Sequence, residues 1–321
     1  MKIMRFPSSI VFLAFVSMFS CDSTLDPVYR ERMREFVQTI SNYAKTENPA
    51  FIIIPQNGHE LVTLTGEADD PIQYTYIEAI DGAGQEDLFY GYRADDRKTN
   101  EEDTEYLSVY LDIYEENGVE VLVTDYCITP EKVDDSYEKN AARSYISFAA
   151  PDRELNTIPS YPELANESEA DIRSLSEVKN FLYLINPEKY QTSEALADAI
   201  AASNYDLVIL DLFYEDQLFN ANQIEKMHWK ANGGRRLLIA YMSIGEAEDY
   251  RYYWKEDWNS QPPEWLDEEN SRWKGNYKVA YWDPDWQAII LGSQDAYLDM
   301  IINSGFDGVY LDIIEAFEHF E

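Results

Sequence analysis

The sequence is poor in basic residues, histidine and cysteine. Against 61 Asp and Glu it carries 25 Lys and Arg, a formal net charge of −36 over 321 residues. Binding to nucleic acid needs a Lys/Arg surface that displaces counterions from phosphates, so that class is excluded. Electrostatic docking on anionic lipid is disfavoured for the same reason. The three histidines, His59, His228 and His319, form no HExxH or other tight ligand spacing. A His-rich zinc site is therefore not expected, and neither a metal nor a cofactor is called for. No Walker loop, GxGxxG or GxSxG elbow occurs, although Ser-His-Asp chemistry does not strictly require the last. Of two cysteines, Cys21 falls in the leading segment, and Cys127 alone cannot form an internal disulfide. The fold must then be held by its core.

That core is well supplied. The chain is 45% hydrophobic and 14% aromatic, with 25 Tyr, 14 Phe and 7 Trp. Such a composition argues against disorder. The length suits two small domains or one large α/β barrel. Residues 1–20 read as a bacterial signal segment: Lys2 and Arg5 precede an apolar run, Ile10 to Phe19, too short to span a bilayer. Met18-Phe19-Ser20-Cys21 resembles a lipobox with Cys21 as the lipidated residue. The expectation is an exported lipoprotein of the bacterial cell envelope, in the outer membrane or periplasm. Its signal would span residues 1–20 and its linker 21–25, with one domain over 26–321. The membrane would be touched only through the lipid on Cys21.

Beyond the linker, short apolar runs alternate with amphipathic helical patterns. Asp26-Pro27 reads as an N-cap with Pro at the first helical position. Tyr29, Met33, Phe36, Val37, Ile40 and Ala44 then share one helical face. Nine strands are expected, at Phe51–Pro55, Tyr74–Ile80, Val119–Val123, Tyr145–Ala149, Phe181–Ile185, Leu207–Leu210, Leu237–Tyr241, Val279–Trp282 and Gly308–Leu311. Gly82 to Gly84 reads as a loop. Asn220 with Gln223 resembles a capping box, and one helix is expected from Asp283-Pro284 to Gly305. Residues 151–178, rich in Pro and acids, read as a surface connection.

Strands alternating with helices imply a parallel sheet. Nine candidates exceed the eight slots of a (β/α)8 TIM barrel, and Tyr145–Ala149 is the expected extra. An open doubly wound sheet is the rival. The barrel is favoured because polar residues end many different strands: Asn57, Glu78, Asp125, Asp211, Ser243 with Glu246, and Asp312. A closed barrel brings such residues to one mouth. Only nine residues follow Asp312, and no strand precedes the first helix. Both oddities vanish if the first helix packs after the last strand, as in a circularly permuted, single-domain barrel.

Three strings carry a family resemblance: Tyr241-Met242-Ser243-Ile244-Gly245-Glu246-Ala247-Glu248-Asp249-Tyr250-Arg251; Asn276-Tyr277 with Tyr281-Trp282-Asp283-Pro284; and Gly305-Phe306-Asp307-Gly308-Val309-Tyr310-Leu311-Asp312. They resemble the glycoside hydrolase family 114-like proteins, related to endo-α-1,4-polygalactosaminidases, which are (β/α)8 barrels. The family order starts with segments like Phe181–Pro187 and ends with segments like Ile52–Gly58 and Val121–Cys127. Here the second group comes first.

The resemblance implies a catalytic Asp at the end of the Gly308–Asp312 strand and a Glu on a later one. Asp312 is assigned as nucleophile and Glu78 as general acid/base of a retaining, endo-acting hydrolase of an α-linked galactosamine-type polysaccharide. Glu86 lies close by in sequence. Retaining carboxyls sit about 5–5.5 Å apart, with the acid's pKa raised by burial and its anionic neighbour. Asn57, Asp125, Asp211, Tyr241, Ser243 and Glu246 are the expected substrate contacts. Arg251 is read as a salt-bridge partner of these acids. All seven Trp lie between Trp229 and Trp286. Trp254 and Trp282 are favoured for stacking on sugar rings. Two other functions compete: a non-catalytic surface glycan-binding lipoprotein, and a polysaccharide deacetylase. The expected partner is a cationic or neutral polysaccharide, and the expected state a monomer.

Overall fold

A computed structural model describes residues 28–321. The signal, the Cys21 lipidation site and the Asp26-Pro27 cap lie outside the described residues. The chain opens with helix α1 (Val28–Glu47), which buries Met33, Phe36, Val37, Ile40 and Ala44 on one face. Strand β1 (Ile52–Pro55) follows, then helix α2 (Tyr74–Ile77) and strand β2 (Gly82–Glu86). Next come α3 (Glu101–Glu116), β3 (Glu120–Tyr126), α4 (Pro130–Ala142) and β4 (Ile146–Ala150). The surface connection carries one 3₁₀ turn at Leu175–Glu177 and leads to β5 (Phe181–Leu184), α5 (Ser193–Ala201) and β6 (Leu207–Asp211). The chain continues through α6 (Ala221–Met227), β7 (Leu237–Ser243), α7 (Pro284–Ile290), α8 (Tyr297–Ser304) and β8 (Gly308–Asp312).

These eight strands run parallel. One sheet has the order β1-β8-β7-β6-β5 and another β2-β3-β4. A single parallel bridge, Gln56 to Gly84, joins the two. On the other side β4 and β5 meet through Phe148 and Phe181, ring centroids 5.8 Å apart. The architecture is therefore mixed α/β, with a parallel central sheet wrapped by helices. The strands are almost wholly buried, as expected where helices cover one face and side chains fill the other. Tyr183 and Tyr310 meet edge to face between the strands, 5.2 Å between centroids. β8 pairs with β1, the first strand of the chain, in register Ile52↔Gly308 to Pro55↔Leu311. α1 reaches the C-terminus through Arg30, which pairs with Glu321 at 2.9 Å.

Three expectations are corrected. Tyr74–Ile80 is not a strand: Tyr74–Ile77 is a helical turn, and the strand comes five residues later, at β2. β2 reads Gly-Ala-Gly-Gln-Glu, without the β-branched residues that mark a strand. Its glycines are there for close approach. A Cβ on Gly84 would overlap the Tyr310 hydroxyl, and one on Gly82 would press on Leu175 and the Glu120 carbonyl. Second, Tyr145–Ala149 is no extra, since β4 pairs with β3 over Ile146 to Ala150. The strand near Val279 instead belongs to a small antiparallel sheet of Glu246–Glu248, Asn276–Val279 and Leu266–Glu269. Third, the helix expected from Asp283 to Gly305 is broken between Ile290 and Tyr297, where Gly292 has φ 99°. The Asn220–Gln223 capping box is present.

Candidate active site

Every parallel strand points its carboxyl end the same way, so the residues just past those ends share one face. A cleft of about 610 Å³ opens there. Asn57 follows β1, Glu86 ends β2, Tyr126 ends β3, Asp211 ends β6, Tyr241 lies on β7 and Asp312 ends β8; all six line it.

Glu86 and Asp312 are two of its half-buried acids, with Asp211 and Glu315. Glu86 accepts from Gln56 Nε2 at 2.6 Å through Oε2 and from the Tyr126 hydroxyl through Oε1. Gln56 is itself held by the Tyr183 hydroxyl, 3.1 Å from its Oε1. Burial, and then the Asp312 carboxyl, push Glu86 up to about 7. Asp312 accepts from the Tyr241 hydroxyl at 2.6 Å. Burial raises Asp312 to about 6, with Glu248 and Glu246 adding to it and the Tyr241 hydroxyl opposing. Two carboxyls that sense each other, one tuned above the other, are the arrangement that lets one carry a proton while the other is ionised.

Around them stands a scaffold of ion pairs. Arg251 holds Asp211 at 2.8 Å and Glu248 at 2.5 Å. Arg153 stacks 4.2 Å over the Tyr126 ring and binds Asp87 at 2.8 Å, bracing the tyrosine that holds Glu86. Asn57, in the left-handed region with φ 60°, turns its Oδ1 to the Glu86 amide at 3.3 Å.

The structure sorts the expected residues. Asp312, Asp211, Tyr241 and Asn57 come together in the cleft. Glu78 does not: it is exposed at the C-cap of α2, before β2 begins, at the end of the sheet opposite the cleft. Asp125 is 0% exposed, and its oxygens accept from the Phe89 and Tyr90 amides, Ser136 and Asn140. It anchors the β2–α3 loop to α4 rather than reaching a ligand. Ser243 is buried, its hydroxyl on the Glu246 carbonyl. Glu246 is buried under Asn270 and Asn276 beside the neighbouring hollow. Trp254 packs on Tyr277 and Trp258, and Trp282 on Tyr29 and Phe320, so neither lines the cleft. The tryptophan that does is Trp273, 54% exposed. The cleft residues to which the sequence assigned no role are Glu86, noted there only as a neighbour of Glu78, and Gln56, Tyr126 and Arg153. Glu86 carried one available signal, a polar end on a segment directly before a loop, hidden because Gly82–Gly84 reads as a turn. Among the described residues no group of three or more His, Cys, Asp or Glu is placed to hold a metal ion.

Comparison with known proteins adds to this geometry. Residues 162–321 match the family model of Glycoside-hydrolase family GH114. An uncharacterized protein of Methanocaldococcus jannaschii is 41% identical over 162 residues, 49% of this chain and 45% of that one. One of Thermotoga maritima is 38% identical over 130 residues, 40% of this chain and 39% of its own. One of Deinococcus radiodurans is 44% identical over 122 residues, 38% of this chain and 37% of its own. The matched stretch spans less than half the length of each of these relatives. The likeness to glycoside hydrolase family GH114 falls on residues 162–321, the segment that supplies Asp211, Tyr241 and Asp312.

Proposed function

We propose that the protein is a retaining glycoside hydrolase that cuts within an α-linked galactosamine-type polysaccharide. Asp312 is the nucleophile and Glu86, in place of Glu78, the general acid/base. The observation that carries this is the pair itself: Glu86 and Asp312 end strands β2 and β8 and line one cleft, each held by a tyrosine hydroxyl, with burial raising both. The Asp312 charge raises Glu86 further, which makes Glu86 the proton carrier and Asp312 the ionised partner. Asp312 attacks the anomeric carbon while Glu86 gives its proton to the departing glycosidic oxygen. Glu86 then takes a proton from the water that breaks the glycosyl ester, restoring both groups. The Tyr241 hydroxyl keeps the unreactive Asp312 oxygen occupied and orients the other.

Internal cutting is supported by the shape around the pair. Past Asp211, Tyr250 and Arg251 the cleft continues into a hollow of about 280 Å³ lined by Glu188, Tyr190, Phe213 and Tyr214. Past Trp273 and Ile313 it continues into one of about 440 Å³. A chain lying through both has sugars on each side of the cut bond. The many acids suit a cationic or neutral polymer.

The eight strands are proposed to form one closed (β/α)8 barrel in circularly permuted order. The β1–β8 pairing and the Gln56–Gly84 bridge support this. So do matches that stop at less than half of each relative, because an alignment cannot follow a reversed order of segments. Export to the cell envelope with a lipid on Cys21 remains part of this proposal, resting on the sequence.

The test is incubation of the purified chain with polygalactosamine and its N-acetylated form, with product analysis. Chain shortening is expected, and Glu86→Gln and Asp312→Asn should each reduce it by roughly 10²- to 10⁴-fold. Glu78→Gln should leave it intact. Binding without products would replace this proposal with a glycan-binding role, and acetate release would replace it with deacetylation.

A further inference from the structure

Glu315 stands three residues beyond Asp312, on the 3₁₀ segment Ile314–His319. Its place is set by backbone. Ile313 turns the chain with φ 59°, and Gly58 packs so closely that a Cβ there would lie 3.2 Å from the Glu315 amide. The side chain lines both the cleft and the hollow beyond Trp273, so it sits where one opens into the other.

Its neighbours are all satisfied. Asp312 has Tyr241, and Glu86 has Gln56 and Tyr126. Glu248 has Arg251 and Tyr250, and Glu246 has Asn270 and Asn276. Glu315 Oε2 is buried with no hydrogen-bond partner among the described residues. A buried carboxyl oxygen without a donor is costly, and that cost is recovered only when a ligand supplies one. Burial, and then Asp312, hold this carboxyl well above the usual range. A sugar hydroxyl would supply a donor but would leave Glu315 protonated, since ionising it would set two carboxylates side by side. A cation beside Glu315 supplies the donor and offsets the repulsion that its ionisation next to Asp312 would bring.

We propose that Glu315 is a specificity-determining residue that takes the ammonium group of an amino sugar lying across the boundary between the cleft and the Trp273 hollow. Its role rests on the glycan-binding site proposed above and names the chemical group that this site selects. On binding, the Glu315 carboxyl gives up its proton to solvent and pairs with the ammonium, so no other reactant is needed.

Binding by the full chain in the inactive Glu86→Gln background isolates this from catalysis. The probes are a galactosamine tetramer and its N-acetylated form, followed by calorimetry in two buffers of different ionisation enthalpy. Adding Glu315→Gln, nearly the same shape, should weaken the free-amine tetramer about tenfold or more relative to the acetylated one. It should also abolish the proton release that accompanies free-amine binding. Glu315→Asp should recover part of the selectivity, and circular dichroism would confirm that the variants are folded. Equal weakening of both tetramers, no change in either, or no binding of either would overturn the assignment. Glu315-dependent binding by an intact chain that cleaves neither polymer would instead uphold it and remove the hydrolase reading.

Discussion

Glu86 and Asp312 are both carboxyls at strand ends, yet their partners separate them. Each has a tyrosine hydroxyl opposing burial and carboxyls adding to it, but after burial the leading influence on Glu86 is the Asp312 carboxyl, which raises it, and on Asp312 the Tyr241 hydroxyl, which lowers it. Activity should therefore follow a bell. Below about 6 Asp312 is protonated and cannot attack; above about 7 Glu86 has lost the proton it must give. Measured as kcat/KM, the two limbs report apparent values of the coupled pair. A flat profile between about pH 5 and 8 would count against the assignment. His59 makes a separate acid-side prediction. It is buried beside Gln85, stacks edge-on to Tyr114 at 5.5 Å, and among the described residues neither ring nitrogen has a partner at hydrogen-bond geometry. Burial lowers it to about 4. The unfolded chain binds that proton near pH 6.5 and the folded one only near 4, so stability falls as pH drops through this window. The loss amounts to about 3 kcal/mol. Because the raised Glu86 and Asp312 act in the opposite sense there, the test is a difference. Denaturant titrations of the native chain and of His59→Leu should diverge in slope against pH between 6.5 and 4, and parallel slopes would refute it.

At the scale of elements, β2 shows how much was legible and why the rest was not. Helix α1, the Asn220 capping box, and strands β3 and β5 to β8 announce themselves through periodicity, caps and apolar runs. β2 does not, because Tyr310 of β8 fills the space beside Gly84, and Leu175 and the Glu120 carbonyl press on Gly82. Tyr310 occupies the space where a strand side chain would stand, so the strand must carry glycine where its neighbours carry Val or Leu. That local sequence reads as a turn, which pushed the expected strand upstream and with it the acid, from Glu86 to Glu78. The error belongs to packing, which a single chain's pattern does not display. Asp125 and Ser243 mislead for a related reason: a polar strand end serves a buried loop anchor as well as a ligand. The same packing yields a prediction for Gly84→Ala. Its new methyl meets the Tyr310 hydroxyl at the point where Gln56 bridges to Gly84 and the Gly84 carbonyl accepts from Asn57. Overpacking there should cost about 1–3 kcal/mol in thermal unfolding. It should reduce activity beyond that, because Glu86 and its Gln56 partner are displaced together. A variant as stable and as active as the native chain would show that β2 does not set the position of the acid.

For the whole molecule, a net charge of −36 turns from a general property into a local one. Asp211, Glu248, Glu86, Asp312 and Glu315 line one cleft with Glu154 and Glu188, and Arg251, Arg153 and Lys274 only partly neutralise them. Capture of a polycation by that face should weaken with added salt, seen as kcat/KM falling while kcat holds. A salt-independent kcat/KM would point to a neutral substrate. Chain order is the other whole-molecule property. Arg30 meets Glu321, and Tyr29 packs on Phe320 at 5.6 Å, so the described ends lie side by side. Residues 151–178, by contrast, are largely exposed connection holding one 3₁₀ turn. If the fold is a permuted barrel, contacts and not chain order hold it together. A chain rearranged to run from residue 164 to 321, through a short Gly/Ser linker, and then from 28 to 163 should fold to the same structure. Its far-UV circular dichroism should match the native chain, and its melting temperature should lie within several degrees, since one opened surface loop and one closed short loop nearly offset. The rearranged sequence should also align with the relatives over well more than the half now matched. A rearranged chain that aggregates or melts without cooperativity, or an alignment that still stops at the same boundary, would show that the present order is the native one for this fold.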